Sequence, residues 1–247
     1  MKTVLEVRNL EKIYPAFRLD RVSFSLEEGK ITGFIGRNGA GKTTTLHSLL
    51  GLLHPDGGEI RFWGASLSKK EREIKQRIGF AGGAVDYYGR KRIADIVAVT
   101  RMFYSNWDER EYRRYLDAFS LDPDKTPSQL SEGMKVKLNL TLALSHHAEL
   151  LILDEPTSGL DPVSRGELLD AFTFLRDRGV AVLFSTHITS DLEKCADHIT
   201  YIARGRLIDS APMDAFLAKS EAAGFGSTLE EIMIRHEKED LREKLAD

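Results

Sequence analysis

The sequence predicts an α/β fold with a largely parallel sheet, and three observations predict it. Apolar strand-sized runs alternate with longer stretches of helical character along the chain. The richest apolar runs, Ala148–Leu153 and Gly179–Phe184, have the length of buried strands. A glycine-rich turn, Gly36–Thr43, lies between an apolar run and a helical pattern, as a strand–loop–helix unit requires.

Taken in order, Val4–Leu10 reads as a strand, and Phe24–Leu26 and Ile31–Ile35 read as two more, with Glu27-Glu28-Gly29 as the turn between them. Thr43–Leu53 places Leu46, Leu49, Leu50 and Leu53 at helical spacing. Pro55-Asp56-Gly57-Gly58 is a turn, and Glu59–Trp63 a short strand after it. From about Lys70 to His147 the chain is charged and mostly helical, with helices over Ser68–Arg77, Ile93–Phe103 and Asp108–Phe119; Asp122-Pro123-Asp124 and Pro127 interrupt it. Between Met134 and Leu144 every second residue is apolar, which suits a strand, yet Met134, Leu138 and Leu142 also form a helical stripe. Periodicity leaves both readings open there. Strands over Leu150–Leu153 and Val180–Phe184 flank a helix over Ser164–Arg178. A short helix near Ser190–Ala196 precedes a hairpin, Ile199–Asp209, that turns at Ala203-Arg204-Gly205-Arg206. Thr228–Asp247 is highly charged and reads as a solvated helix.

Composition sets the outer limits. The 247 residues are 42% hydrophobic and 30% charged, the balance of a globular protein with a sizeable core. With 38 acidic and 35 basic residues the net charge is −3, so no global basic excess points to nucleic acid. No apolar run approaches the ~18 residues of a membrane span, and Met1–Leu10 lacks a signal-peptide core. A single cysteine, Cys195, excludes an internal disulfide and a cysteine-cluster metal site. These features are those of a protein in a reducing compartment.

Gly36-Arg37-Asn38-Gly39-Ala40-Gly41-Lys42-Thr43 matches G-x-x-x-x-G-K-[ST] in full. A triphosphate needs donors that wrap around it. Glycines let backbone N–H groups turn inward, and the helix that begins here points its positive end at the phosphates. Lys42 reaches the β- and γ-phosphates in this reading, and Thr43 offers a hydroxyl to Mg²⁺. A second constellation follows the apolar run Leu150–Leu153, where Asp154 and Glu155 stand at the end of a strand, the edge at which α/β sheets bind ligands. Asp154 is a candidate to hold Mg²⁺ through water, and Glu155 to act as general base on the attacking water.

With these motifs in one chain, the sequence resembles the ATP-binding subunits of ABC transporters from Val4 to about Met233. Leu130-Ser131-Glu132-Gly133-Met134 stands at the place of the family's L-S-G-G-Q signature, Ser158-Gly159-Leu160-Asp161 matches its D-loop, and His187 its switch histidine. Tyr14 stands where the family has an aromatic that stacks on adenine. The resemblance implies a P-loop NTPase (RecA-like) core with an antiparallel β subdomain and a helical signature subdomain, the ABC ATPase fold. It makes Met134–Leu144 a helix. It divides the chain into one ATPase domain, 1–220, with the helical part inserted at about 84–148, and a charged tail, 221–247.

The same resemblance implies site roles. ATP would be bound by Tyr14, Gly36, Arg37, Asn38, Gly39, Ala40, Gly41, Lys42, Thr43 and Thr44, with Mg²⁺ at Thr43 and Asp154. Glu155, His187 and Lys42 would be catalytic. Ser131, Glu132, Gly133 and Asp161 would serve ATP held by a second ATPase subunit, so two copies or two related chains would enclose two nucleotides. An integral membrane permease would be the other partner, placing the chain at the cytoplasmic face of the membrane, with no role for nucleic acid. Phe103–Asp108, Leu144–His147 and His187–Lys194 resemble the type-two bacterial exporters, such as YtrB-like ATPases and phenol-soluble-modulin exporters.

Two positions depart from the family pattern. Glu132 replaces one glycine of the signature pair, which a phosphate site tolerates only if the side chain points away into solvent. Gly83 stands where the family has a glutamine; either Asp86, three residues on, takes its place or the contact is absent. These departures keep a nucleotide sensor with weak turnover in play, alongside a soluble ABC ATPase of the iron–sulfur assembly type.

Overall fold

The computed structural model describes residues 2–82 and 89–246. Its first sheet is antiparallel, with strand order β2-β1-β4-β5, built from β1 (Thr3–Tyr14), β2 (Phe17–Glu27), β4 (Gly57–Phe62) and β5 (Ala65–Ser66). Its second sheet has the order β10-β9-β3-β8-β7-β6, from β3 (Ile31–Ile35), β6 (Ile78–Gly82), β7 (Leu150–Asp154), β8 (Ala181–Thr186), β9 (His198–Ala203) and β10 (Arg206–Pro212). All its pairings are parallel except β9 with β10.

The helices are α1 (Lys42–Leu49), α2 (Leu67–Lys75), α3 (Ile93–Thr100), α4 (Glu109–Ala118), α5 (Glu132–Ser145), α6 (Pro162–Asp177), α7 (Thr189–Cys195), α8 (Met213–Ala222) and α9 (Leu229–Ala246). None of the described helices is long and apolar enough to cross a membrane.

Alternation along the parallel strands builds two cores at once. Leu150 and Ile152 face the antiparallel sheet and α1, whereas Leu151 and Leu153 face the helical layer of α5 to α9. Burial on both faces makes these strands read as unbroken apolar runs. A third, smaller core joins α3, α4 and α5 through Ile93, Val97, Leu116, Leu138 and Leu142.

The helix α5 resolves the ambiguous segment. Leu140, Ala143 and Leu144 enter the large helical-side core, while Leu138 and Leu142 enter the small one. A helix that packs on two sides has no single apolar stripe, so its pattern mimics period two.

Several boundaries differ from those read in the sequence. The first hairpin runs the full lengths of β1 and β2, because bulges at Val7/Leu10 and Leu10/Lys12 break the alternation that would have marked it. Helix α1 stops at Leu49, where Gly51 adopts φ 67 just past the end. The strand β6 lies within the tract expected to be helical; Gly79 and Gly82 lower its strand propensity, yet the absence of a Cβ at Gly79 lets α5 approach through Ala143. The solvated-helix reading fails for the first turn of α9, where Leu229 and Ile232 are fully buried. Helix α8 is additional, and its Phe216 is also in the core.

The segment Phe103–Asp108 folds over the end of α5. The Tyr104 ring stacks on His146 at 3.7 Å and 8°, the Asn106 amide donates to the His146 carbonyl, and Asp108 N–H donates to the Ser145 carbonyl over 2.7 Å. Gln76, beside β6, closes the arrangement: its side chain donates to the Phe103 carbonyl (2.8 Å) and accepts from Ser105 N–H (2.9 Å).

Candidate functional site

The parallel register sends the ends of β3, β7 and β8 to one edge of the sheet, where the site is built. All five residues of β3 are buried, which fixes the start of the loop that follows. At Gly36 a Cβ would collide with the Ile202 carbonyl oxygen, so only glycine allows the chain to leave the strand here. Arg37, Asn38 and Gly39 form an exposed tip, and Ala40 is buried beneath it. Helix α1 then begins with Gly41 as its N-cap, without a side-chain cap and without an acidic residue in its first turn. Its leading N–H groups, the helix's positive end and Lys42 together suit an anion at the loop, the fit that a triphosphate demands.

Lys42 is only 6% exposed, and its Nζ donates to the carbonyls of Gly36 (2.6 Å) and Arg37 (3.3 Å). Burial lowers its pKa, and the charges of Glu155 and Asp154 oppose that shift. Nζ also lies 3.6 Å from Glu155 Oε1. Thr44 follows in α1, its carbonyl accepting from Ser48 Oγ over 2.8 Å.

Asp154 closes β7. One of its oxygens accepts from Thr43 Oγ1 at 3.0 Å and the other from Ser185 Oγ. The hydroxyl and the carboxylate are hard oxygen donors side by side, and no group of three metal-ligating side chains occurs among the described residues. That donor set fits Mg²⁺, which takes one or two protein ligands and completes its shell with phosphate and water.

Glu155 adopts φ 51, a left-handed backbone uncommon for a residue with a side chain. The conformation is held by its N–H, which lies 3.1 Å from the Ser185 carbonyl and 3.2 Å from Ser185 Oγ. Glu155 Oε2 lies 2.9 Å from His187 Nδ1. Lys42, Thr43, Asp154, Glu155 and His187 thus form one connected group, with Ser185 as the residue missed in the sequence. Its signal is the cross-strand register, Asp154 opposite Ser185, which no linear pattern displays.

Tyr14 ends β1 and is 40% exposed. Its ring centroid lies 6.4 Å from that of Phe17, and the Phe17 ring abuts the open side of Gly41. The hairpin therefore rests against the loop.

Ser131, Glu132, Gly133 and Asp161 assemble as a second group where α5 meets α6. Ser131 caps α5, its Oγ accepting from Met134 N–H at 3.3 Å. Glu132 turns outward to Lys135 at 2.7 Å, the orientation its charge requires. Gly133 lies against Ser164 of α6. Asp161 caps α6, accepting from Ser164 Oγ (2.6 Å) and from the N–H groups of Val163 and Ser164, and these bonds hold its carboxyl below the usual range. Gly83 and Asp86 lie outside the described residues.

Comparison with known proteins gives the family. The family model for ABC transporters matches residues 19–158. The bacitracin transport ATP-binding protein BcrA of Bacillus licheniformis is 34% identical over 218 residues, covering 87% of this chain and 71% of that protein. The daunorubicin/doxorubicin resistance ATP-binding protein DrrA of Streptomyces peucetius is 33% identical over 211 residues, covering 83% and 64%. A solved structure of an ATP-binding subunit of an ABC transporter superposes with a TM-score of 0.83 at 28% identity, over 94% of this chain and 98% of that one.

Proposed function

The chain belongs to the ABC transporter family as an ATP-binding subunit, and from that premise we propose that it hydrolyses ATP to drive export through a separate membrane permease. The observation that carries the reading is the connected group of Lys42, Asp154, Glu155 and His187 around an uncapped helix start. The transport and drug-resistance relatives favour a transporter over a soluble ABC ATPase.

The reaction is ATP + H₂O → ADP + phosphate, with one proton released at neutral pH. The N–H groups of the 36–44 loop bind the triphosphate, and Lys42 exchanges its backbone carbonyl partners for phosphate oxygens. Tyr14 stacks on the base. Glu155 accepts the proton of the attacking water, and His187 holds the Glu155 carboxylate in place and contacts the γ-phosphate. Thr43 and Asp154 would hold Mg²⁺, which when bound neutralises charge on the phosphates. Ser131, Glu132, Gly133 and Asp161 face the nucleotide of a second ATPase subunit, identical or related. Closure of the two subunits on ATP, and their release after hydrolysis, moves the permease at the cytoplasmic face of the membrane. The type-two exporter assignment within the family rests on the sequence resemblance of Phe103–Asp108, Leu144–His147 and His187–Lys194.

The test is purification of the tagged chain from its native membranes. A polytopic protein is expected to co-purify, and the assembly to release phosphate from ATP. An assembly that binds ATP without turnover would leave a nucleotide sensor instead.

A further inference from the structure

Asp191 and Arg165 form a pair that the residues assigned so far leave unused. Asp191 is fully buried, and neither of its carboxylate oxygens has a hydrogen-bond partner. Arg165 Nε lies 4.0 Å from Asp191 Oδ2, and that nitrogen is also buried without a hydrogen bond. A buried guanidinium nitrogen and a buried carboxylate normally close to about 2.8 Å, because burial makes an unpaired charged donor or acceptor costly. The other end of the guanidinium accounts for the gap: Nη2 donates to the Leu160 carbonyl at 3.3 Å. The fork is shared between two acceptors.

The position of the pair matters. Arg165 lies one turn into α6, past its cap Asp161, and its N–H donates to the Asp161 carbonyl (3.0 Å). Asp191 lies in the first turn of α7, which begins two residues after His187. The two helices pack together. Arg165 and Asp191 thus join the loop that carries Leu160 and Asp161 to the segment that carries His187.

We propose that Arg165 and Asp191 are positioning residues, a two-position latch that sets His187 according to where the Leu160–Asp161 loop stands. The inference rests on the ATPase reading above. When the loop holds the guanidinium, the carboxylate is left unsatisfied. When the loop withdraws its carbonyl, the fork closes on Asp191 and draws the first turn of α7 with it. A packed interior favours two discrete arrangements of this kind over a continuum.

The test uses the membrane-purified assembly with D191N, R165Q, R165K and the double variant D191N/R165Q. Phosphate release, binding of a fluorescent ATP analogue and thermal melting are measured on each, and kcat is expressed per nucleotide-binding molecule. D191N and R165Q are each expected to lower kcat about tenfold with KM within about twofold, and the double variant to fall no further. R165K keeps the charge but lacks the fork, and is expected to lose about threefold. A purely structural role would lower Tm and the fraction binding nucleotide while leaving kcat per binding molecule unchanged; that result, or additive losses in the double variant, overturns the latch. If D191N does not fold, wild-type kcat in R165K overturns it alone. A wild-type assembly that binds ATP and releases no phosphate overturns the ATPase reading and the latch together, so the two failures are told apart.

Discussion

His187 and Glu155 are joined side chain to side chain, Nδ1 of the ring meeting Oε2 of the carboxylate at 2.9 Å. The contact ties the ring that follows β8 to the carboxylate that follows β7. Glu155→Gln keeps a partner for His187 and removes the base. We expect ATP binding within about twofold of wild type and phosphate release lowered by at least about 100-fold. Unchanged turnover would remove Glu155 from its role.

Ser185 donates to Asp154 and lies within hydrogen-bond distance of the Glu155 N–H, so one hydroxyl holds both carboxylate-bearing residues. Ser185→Ala leaves the Asp154 oxygen without that donor inside the sheet edge. Stability is expected to fall by about 1–2 kcal/mol in urea unfolding, with kcat lowered about fivefold as the two carboxylates lose their shared anchor. Loss of ATP affinity in place of turnover would contradict this division of labour.

Glu132 is 59% exposed and pairs with Lys135, an arrangement worth less than about 1 kcal/mol. Glu132→Gly restores the glycine of the family signature. Turnover is expected to stay within about twofold, because the backbone donors of this helix start remain in place. A tenfold change in either direction would show that the carboxylate acts on the nucleotide.

His146 is buried under Tyr104, and burial lowers its pKa to about 4. An unfolded histidine titrates near 6.5, so between pH 6.5 and 4 the unfolded chain binds a proton that the folded chain does not. Stability at this site is therefore full above pH 6.5 and is lost as pH falls to about 4, an effect on the order of 3 kcal/mol. His146→Phe keeps an aromatic ring against Tyr104 and has no proton to take up. Urea midpoints measured from pH 7 to 4 should fall more steeply for wild type than for the variant; parallel curves would refute the assignment.

The parts of this protein legible in its sequence are those in which chemistry requires neighbours along the chain. The loop 36–43 must present consecutive N–H groups, so it is written as a contiguous motif, and Asp154-Glu155 follow a strand for the same reason. Parts that depend on neighbours across the fold were hidden. Ser185 is paired with Asp154 by strand register, and Asp191 meets Arg165 through the packing of two helices. The strand β6 was obscured because its glycines serve the approach of α5 at the cost of strand propensity. For α5 itself the sequence held two compatible periods, since its apolar residues answer to two cores.

The burial of Leu229 and Ile232 has a kinetic consequence. Both belong to the same core as Ile31, and Ile31 itself pairs with Val182 on the far side of the chain. The central strand β3 is made well before its strand neighbours β8 and β9 and before the first turn of α9, which seals its helical face. Such non-local closure is slow and leaves apolar surface waiting. The helices α3, α4 and α5 share a core drawn from residues 93–142 and can close while the rest is still being made. Closure of the large core therefore waits on Leu229 and Ile232, whereas closure of the core shared by α3, α4 and α5 does not.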